Sequence, residues 1–404
     1  MPILLFATLD TKGLEAAFVR DRLRACGVDV RVVDTGCLGN PSIVPDVTRA
    51  DFFEYGPRSL AELREAADRG QAVSVAAIAA QTFVKQEFKD GRVSGVMGLG
   101  GSAGTTIATA AMRELPLGVP KLMVSTLASG QTRPFMGDKD IFLLNSVVDI
   151  AGLNRISREV LSAAAEAMAG LVRFRREIPR PVAEKDRPLI AATMFGVTTP
   201  CVERARQRLE AAGFELLVFH ATGAGGQAME SLIRDGQIAG VLDLTTTELA
   251  DELVGGVLSA GPDRLTAAAD KGIPQVLSVG ALDMVNFGPF ETVPAKFGHR
   301  TFHRHNANVT LMRTTPEECL ELGREIGRKA RRSTGPVRIF FPLQGVSAID
   351  RNGQPFDDPA ARVALLDGLR ETFGEDGLTV LDRHINDAEF ADACADALKS
   401  LVAR

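Results

Sequence analysis

A glycine-rich turn between a predicted strand and a predicted helix carries the strongest chemical signal in this sequence. Residues 96–106 read VMGLGGSAGTT. Glycine lets the backbone approach a phosphate closely, and the start of the next helix offers free N–H donors at the positive end of its dipole. The turn lacks the lysine of a Walker A loop, and a turn that only packs helix against strand is the alternative. The residues predicted to bind phosphate are Gly100, Gly101, Ser102, Gly104 and Thr105.

The same turn formally matches the dinucleotide fingerprint, as G-x-G-x-x-A from Gly98 to Ala103. That fingerprint also requires an acidic residue about 20 positions later, at the end of the next strand. The next predicted strand ends in Ser125 and Thr126. The sequence therefore disfavours NAD at this turn.

Two further polar turns follow predicted strands in the first half of the chain. The first contains Thr8, Asp10, Thr11 and Lys12. Lys12 can supply the positive charge that the glycine-rich turn lacks, and Asp10 can hold Mg²⁺; alternatively, Asp10 and Thr11 only cap the next helix. The other turn contributes Ser125, Thr126 and Ser129. Three hydroxyl-rich turns at consecutive strand ends are consistent with a single polyphosphate pocket.

The second half of the chain has its own glycine-rich turn. Residues 219–228, FHATGAGGQA, match the fingerprint from Gly223 onward, and Asp243 lies 20 residues after Gly223 at a predicted strand end. On motif grounds this turn is an alternative site for NAD. Asp243 and Glu248 flank three threonines, and such a carboxylate pair can bind Mg²⁺, serve as acid and base, or cap the next helix.

An irregular segment is predicted from about residue 281 to 313, and it is rich in polar side chains. Three of the five histidines of the chain lie within seven residues of this segment, and such clustering is not typical of core packing. We predict a polar surface that faces an anionic substrate, with a metal site or a solvated loop as alternatives. The polar residues are Asp283, Asn286, His299, Arg300, His303, His305, Asn306 and Arg313.

The elements that would position these residues alternate between short apolar runs and longer helix-forming segments. Such alternation is typical of parallel sheets covered on both faces. Residues 60–88 are predicted as two helices interrupted at Gly70, and a charged, proline-rich stretch at 173–188 divides the chain. We predict an α/β fold of two tandem Rossmann-like, doubly wound subdomains with mostly parallel sheets, residues 1–180 and 181–404, and a ligand cleft between them.

Composition excludes several classes of protein. The chain has 45% hydrophobic and 24% charged residues and a net charge of −5, which is typical of globular proteins and excludes disorder. Slight acidity argues against a nucleic-acid partner, and no apolar run is long enough to span a membrane. The five cysteines lie far apart and form no metal or redox motif. With no signal peptide recognised, we expect a cytoplasmic protein.

Seven stretches together resemble one known family, the ATP-binding-domain family of the plant tobamovirus-resistance protein (an inhibitor of tomato mosaic virus replication). That family is largely uncharacterised and has many bacterial members. The resemblance implies two Rossmann-like subdomains, ATP and Mg²⁺ in the N-terminal half, and a homodimer; the antiviral role is not carried over to this chain. The stretches are TLDTKG at 8–13, GLGGSAGT at 98–105, PKLMVSTLASG at 120–130, FHATGAGGQAME at 219–230, LDLTTTELAD at 242–251, GALDMVNFG at 280–288 and HNANVTLMRTT at 305–315.

Motifs and resemblance together predict an ATP-binding protein. The leading expectation is an ATP- and Mg²⁺-dependent enzyme, a transferase or ligase, acting on a small anionic metabolite. A non-catalytic ATP-binding module and an NAD-linked oxidoreductase are the alternatives, and we expect no nucleic-acid or membrane partner. The residues predicted to line the acceptor side of a cleft that closes on substrate are His220, Glu248, Asp283, His303 and Arg313.

Overall fold

A computed structural model describes residues 1–130, 132–177 and 187–403. The chain divides into two compact units, unit 1 (Met1–Ala183) and unit 2 (Glu184–Arg404). The predicted boundary between residues 180 and 181 lies outside the described residues, and the predicted cleft between the subdomains stays a prediction. None of the helices in the described part of the chain is both long and apolar enough to cross a membrane.

Unit 1 alternates strands with helices. Its strands are β1 (Ile3–Ala7), β2 (Val30–Asp34), β3 (Gly95–Gly100), β4 (Lys121–Ser125) and β5 (Phe142–Asn145). Its helices are α1 (Leu9–Ala25), α2 (Arg49–Phe53), α3 (Leu60–Ala66), α4 (Arg69–Lys89), α5 (Ser102–Arg113), α6 (Arg133–Met136) and α7 (Arg155–Glu177). The strands are parallel, in the order β2-β1-β3-β4-β5. This is the doubly wound order of flavodoxin-like folds.

Helices cover both faces of the unit 1 sheet, which explains why its strands read as continuous apolar runs. β1 is ILLFA and is buried along its whole length. Leu4 and Phe6 pack with α4 and α5 on one face, whereas Ile3 and Leu5 pack with α1 and α7 on the other. The helices that follow β1 and β3 therefore leave the sheet on opposite faces. Such a switch point opens a crevice between the carboxyl ends of the two strands.

Unit 2 contains a second parallel sheet and a small antiparallel one. Its strands are β6 (Leu189–Met194), β7 (Glu215–His220), β8 (Gly240–Thr245), β9 (Gln275–Gly280), β10 (Met284–Phe287), β11 (Phe302–Asn306), β12 (Val309–Arg313), β13 (Val337–Pro342) and β14 (Leu378–Leu381). Its helices are α8 (Thr199–Ala211), α9 (Ala224–Arg234), α10 (Glu248–Val254), α11 (Ala267–Lys271), α12 (Pro316–Arg331), α13 (Pro359–Thr372) and α14 (Ala388–Val402). The parallel order is β14-β13-β9-β8-β6-β7, and the antiparallel order is β10-β12-β11. The predicted pair of Rossmann-like subdomains is confirmed.

Two local predictions were wrong. The segment from 281 to 313 is not irregular, because β10, β12 and β11 pair in it; strands of four or five residues carry too little periodicity to be recognised. The break between α3 and α4 lies at Ala67 and Asp68, not at Gly70. Ala67 adopts a left-handed conformation at φ 51°, and the Asp68 side chain caps α4 by accepting a hydrogen bond from the backbone of Gln71.

Candidate functional site

A cavity of about 250 Å³ opens at the carboxyl edge of the unit 1 sheet. The ends of β1 and β2 form one side, and helices α4 and α5 form the other. The polar side chains that line it are Thr8, Asp10, Thr11, Thr35 and Arg69. The apolar side chains that line it are Leu38, Ala72, Val73, Ala76, Ala103 and Ile107. The cavity thus lies beside the switch point of the sheet, where doubly wound folds bind ligands.

Helix α5 begins beside this cavity with an open N-terminus. Gly101 precedes the helix and provides no side-chain cap. Within the described residues, no group accepts a hydrogen bond from the backbone N–H of Ser102, Ala103 or Gly104. Unpaired amides and the positive end of the helix dipole make this terminus suited to an anion.

Two carboxylates fix the loop that follows β2. The buried Asp34 accepts hydrogen bonds from the backbone of Leu9 at 3.2 Å and of Gly36 at 2.9 Å. Its second oxygen accepts a hydrogen bond from Arg49 Nε at 2.7 Å. The loop therefore has a defined position next to the first turn of α1.

The second carboxylate, Asp10, forms part of the cavity wall. Its Oδ2 atom accepts hydrogen bonds from the backbone N–H groups of Leu38 and Gly39, both at 3.2 Å. A Cβ atom at Gly36 would lie 2.7 Å from Asp10 Oδ1, so any other residue there would displace the Asp10 carboxylate. No described residue donates a hydrogen bond to Oδ1, which leaves this oxygen for a cation. Burial, and then the charge of Asp10, raise the pKa of the neighbouring Cys37 thiol, so Cys37 is not an activated nucleophile.

The structure places the residues predicted to bind phosphate in different surroundings. Thr8, Asp10 and Thr11 line the cavity, but Lys12 does not. Lys12 lies at a kink near the start of α1, where its own backbone angles (φ −128°, ψ 21°) are not helical. Ser102 is exposed at the open end of α5. Gly100, Gly101 and Gly104 form the turn itself, where a Cβ at Gly100 would lie 3.0 Å from the Gly104 Cα atom.

The third predicted turn does not line the cavity. Thr105 and Ser125 are buried, and their hydroxyl oxygens lie 2.7 Å apart in a hydrogen bond that ties α5 to β4. The backbone N–H of Thr126 donates to Gly100 O at 3.3 Å, and Ser129 is exposed. Thr105, Ser125 and Thr126 therefore brace the glycine-rich turn, and a contact of this group with a ligand stays a prediction.

Sequence reasoning missed the loop after β2 and the start of α4. Thr35, the backbone from Gly36 to Gly39, and Arg69 line the cavity. A signal was present, because TGCLGN at 35–40 directly follows a strand and has turn composition.

The glycine-rich turn of unit 2 is already filled by a side chain of the protein. The backbone N–H groups of Gly223 and Gly226 donate to Glu248 Oε1, at 2.7 and 3.0 Å. A Cβ atom at Gly226 would overlap the Glu248 carboxylate. The donors that a pyrophosphate would need are therefore occupied, which argues against NAD at this turn.

Arg264 anchors that carboxylate in the core of unit 2. Its Nε donates to Glu248 Oε2 at 2.6 Å, and its Nη1 and Nη2 donate to the two oxygens of Asp243 at 2.5 and 2.8 Å. All three side chains are buried. Burial raises the pKa of Glu248, and Arg264 opposes that rise. Glu248 is therefore held on both of its oxygens by contacts within the core, and its predicted catalytic role stays a prediction.

Two of the other predicted acceptor-side residues lie together, but inside the core. Asp283 Oδ2 accepts a hydrogen bond from Ser347 Oγ at 2.8 Å, and Arg313 Nη1 donates to Asp283 O at 3.3 Å. Arg313 Nη2 also lies 3.6 Å from Asp350. Asp283 and Arg313 are both buried, so they do not face a solvent-accessible substrate.

The two predicted histidines are more accessible and lie on different strands. His220 is exposed at the end of β7, and its ring centroid lies 5.4 Å from that of Phe195. His303 is half-buried on β11, 6.3 Å from the ring centroid of Phe356. Phe356 also binds Arg313, since its carbonyl accepts a hydrogen bond from Arg313 Nε at 2.9 Å. Only His303, Arg313 and Asp283 therefore share one neighbourhood.

The buried Asp283 should make stability depend on pH. Burial, and then the charge of Asp350, raise its pKa to about 7. A carboxyl group with a raised pKa keeps its proton longer in the folded state than in the unfolded state. The free energy of unfolding is therefore highest at low pH and falls as the pH rises from about 4 to about 7. We expect the difference in free energy of unfolding between Asp283→Asn and the parent to grow in favour of the variant by about 2–3 kcal/mol from about pH 5 to about pH 8. Urea unfolding of both proteins at each pH measures this difference. The exposed Asp149→Asn is the control, and a pH-independent difference for Asp283→Asn would contradict the raised pKa.

Comparison with known proteins finds one family whose two domains match the two halves of the chain. The N-terminal domain of the uncharacterised protein family UPF0261 matches residues 1–177, and its C-terminal domain matches residues 187–402. A UPF0261 protein of Clostridium tetani is 49% identical over 99% of this chain and 98% of its own length. UPF0261 protein RA0729 of Rhizobium meliloti is 45% identical over 99% of this chain and 98% of its own length.

A plant protein and a solved structure are also similar. The ToMV resistance protein Tm-1(GCR237) of Solanum lycopersicum is 42% identical over 96% of this chain, which spans 54% of the tomato protein. The resemblance to the Tm-1 family is thereby confirmed. The Streptomyces sp. SF2575 glycosyltransferase SsfS6, complexed with thymidine diphosphate, is 13% identical over 100% of this chain and 96% of its own, with a TM-score of 0.20. A score this low supports no inference.

Proposed function

The chain belongs to the UPF0261 family, and we propose that it binds ATP with Mg²⁺ at the carboxyl edge of the unit 1 sheet. One observation carries this proposal. The glycine-rich turn of unit 1 leads into a helix whose first three amides are open beside a cavity, whereas the turn of unit 2 is closed by Glu248. Of two turns with similar sequences, the first is available to a phosphate.

The lining of the cavity suits the parts of a nucleotide. The amides of Ser102 to Gly104 would hold phosphate oxygens, and Arg69 would contribute a positive charge. The wall formed by Ala72, Val73, Ala76 and Ile107 is apolar, as a purine ring requires. ATP in particular follows from the resemblance of the sequence motifs to an ATP-binding-domain family.

Asp10 is the residue that would hold Mg²⁺. Within the described residues, no three His, Cys, Asp or Glu side chains lie together as a ready metal site. Mg²⁺ in nucleotide sites is typically held by one or two carboxylates, phosphate oxygens and waters, so a single carboxylate suffices when the nucleotide is present. The free Oδ1 of Asp10 fits this role.

The catalytic part of the proposal is a transferase or ligase reaction on a small anionic metabolite. His220 and His303 are its remaining accessible candidates. We also propose a cytoplasmic homodimer, as the resemblance implies. Release of ADP or AMP in the presence of a panel of carboxylate metabolites would distinguish an enzyme from a module that binds ATP without consuming it.

Thermal unfolding with a panel of nucleotides tests binding. A ligand at about 100 times its Kd adds about 2.7 kcal/mol, which corresponds to roughly 5–10 °C for a unit of this size. We expect ATP to raise the Tm more with Mg²⁺ than with EDTA, and NAD to leave it unchanged. In Asp10→Asn, which keeps the acceptor for Leu38 and Gly39, the effect of Mg²⁺ should disappear; Asp21→Asn, exposed on the same helix, is the control. A shift by NAD and none by ATP would overturn the proposal.

A further inference from the structure

The cavity of unit 1 changes in character along helix α4, which forms part of its wall. Arg69, Ala72, Val73 and Ala76 lie on successive turns of α4 and span about 10 Å of its length. Arg69 is exposed, whereas Ala72 and Ala76 are 2% and 1% exposed. The cavity therefore has an open end beside a positive charge and a buried end with an apolar wall.

Helix α5 shows the same change along its length. Ser102 is exposed at the start of the helix, whereas Ile107, which lines the cavity further along, is buried. Helix α4 leads into β3 and α5 leads out of it, so both helices run opposite to the strand. Their first turns thus lie at the carboxyl edge of the sheet, and this edge is the open end of the cavity.

The guanidinium of Arg69 at the open end is not committed to another part of the protein. Within the described residues it forms no hydrogen bond or salt bridge, whereas Arg64 Nε donates to Cys37 O at 2.9 Å. Asp68 precedes Arg69, but its carboxylate caps α4 by accepting the backbone N–H of Gln71 at 3.0 Å. A positive charge at the first position of a helix opposes the helix dipole, so the charge of Arg69 is unfavourable for α4 itself.

The buried end of the cavity suits a purine ring without distinguishing adenine from guanine. The side chains of Ala72, Ala76 and Ile107 offer the ring an apolar surface. Thr35 contributes a buried hydroxyl to the same cavity. Because a hydroxyl both donates and accepts hydrogen bonds, it can pair with the amino group of adenine or with the carbonyl oxygen of guanine.

The cavity is too small to enclose a whole nucleoside triphosphate. Its volume is about 250 Å³, whereas sites that enclose a drug-sized ligand have about 300–1,000 Å³. The base gains most from burial, and burial of the charged phosphates would be costly. The base therefore belongs at the buried end, and the phosphates belong at the open end with Arg69 and the amides at the start of α5.

We propose that this cavity binds purine nucleoside triphosphates as a class, with the base inserted first, and that Arg69 selects them by their phosphate chain. This inference rests on the proposed nucleotide site in unit 1. A guanidinium can pair with two phosphate oxygens at once, so affinity rises with the number of phosphates. The base adds apolar contacts that adenine and guanine share.

Isothermal titration of the full chain with adenosine, AMP, ATP and GTP in the presence of Mg²⁺ tests the proposal. We expect GTP to bind within about tenfold of ATP, and we expect Arg69→Gln to weaken ATP by about tenfold or more without affecting adenosine. Lys89→Gln removes an exposed charge at the other end of α4 and should bind each ligand like the parent. Weaker adenosine binding by Arg69→Gln would overturn the orientation, and a larger difference between ATP and GTP would overturn the proposed class.

A substitution at the buried end provides the complementary measurement. Ala76→Leu fills that end, so it should weaken adenosine and ATP alike and leave the binding of inorganic triphosphate unchanged. Ala77→Leu, at the next position of α4 and outside the cavity, is the control, and thermal unfolding without ligand checks that each variant folds. If Ala76→Leu did not fold, the exposed Arg69→Gln would still decide the orientation.

The same titrations separate this inference from the proposed function. If neither ATP nor GTP bound the parent, the nucleotide site itself would be overturned. If ATP bound the parent and Arg69→Gln equally well, the site would stand and the role of Arg69 would be overturned.

Discussion

Ser102→Asp is expected to weaken binding of ATP by roughly 30–150-fold while unit 1 stays folded. Ser102 is exposed at the first position of α5, where three amides are open. A carboxylate there would repel a phosphate about 4 Å away by up to about 4 kcal/mol at an effective dielectric constant near 20. The same carboxylate favours the helix itself, because negative charge at a helix N-terminus contributes about 0.3–1 kcal/mol. Binding and stability should therefore change in opposite directions.

Isothermal titration with ATP and Mg²⁺, together with thermal unfolding of the ligand-free protein, measures both effects. The control Ser102→Asn introduces a side chain of nearly the same shape as aspartate but without its charge, so it should retain most of the affinity for ATP. Ser129→Asp adds the same charge to an exposed serine outside the cavity and should bind like the parent. If Ser102→Asp bound ATP as tightly as the parent, the nucleotide would not lie at α5.

Ser102→Asp would place a carboxylate at the start of α5, as Glu248 does at the start of α9. In unit 2, Glu248 accepts hydrogen bonds from the backbone N–H groups of Gly223 and Gly226 at the start of α9. The carboxylate takes the position in which a bound anion would be expected. The two units thus show the same local motif in an open and a closed form.

Much of the fold could be predicted because its determinants are local. The run Ile3–Ala7 is apolar at every position, as a strand covered on both faces must be, and the structure begins and ends β1 at those residues. The glycine-rich stretch at 98–105 was also correctly predicted to join a strand to a helix, although β3 continues to Gly100 and α5 begins at Ser102. Both signals lie within a few consecutive residues.

The state of each candidate site depends on distant residues, and the sequence alone could not reveal it. Glu248 closes the turn at Gly223 from 25 residues away, and Arg264, which fixes Glu248, lies a further 16 residues along. Thr105 and Ser125 share a hydrogen bond across 20 residues. A hydroxyl or carboxylate near a turn has the same local pattern whether it faces a ligand or the core. Only the tertiary contacts separate the two cases.

Arg264→Met is expected to destabilise unit 2 by about 3–5 kcal/mol, the largest loss of stability that we anticipate from a single substitution. Arg264 is fully buried and donates to both Asp243 and Glu248. Methionine fills a similar volume but leaves three buried carboxylates, Asp243, Glu248 and the more distant Glu230, without this cation. Each charge would then have to be neutralised by protonation or remain unpaired at high cost. Urea unfolding of the parent and the variant measures the difference, with the exposed Arg332→Met as control.

The pH dependence of that loss identifies its cause. Unpaired buried carboxyls have a raised pKa in the folded state, so their folded form is favoured at low pH and disfavoured as the pH rises. The deficit of Arg264→Met should therefore shrink as the pH falls from about 8 to about 5. Adding Glu248→Gln and Asp243→Asn removes the two charges closest to residue 264 and leaves only Glu230. The amide oxygen of the introduced glutamine can still accept the hydrogen bonds of Gly223 and Gly226, so the triple variant should regain part of the stability at neutral pH. A deficit that stayed constant with pH and persisted in the triple variant would point to packing, so the closed turn of unit 2 would then not depend on charge.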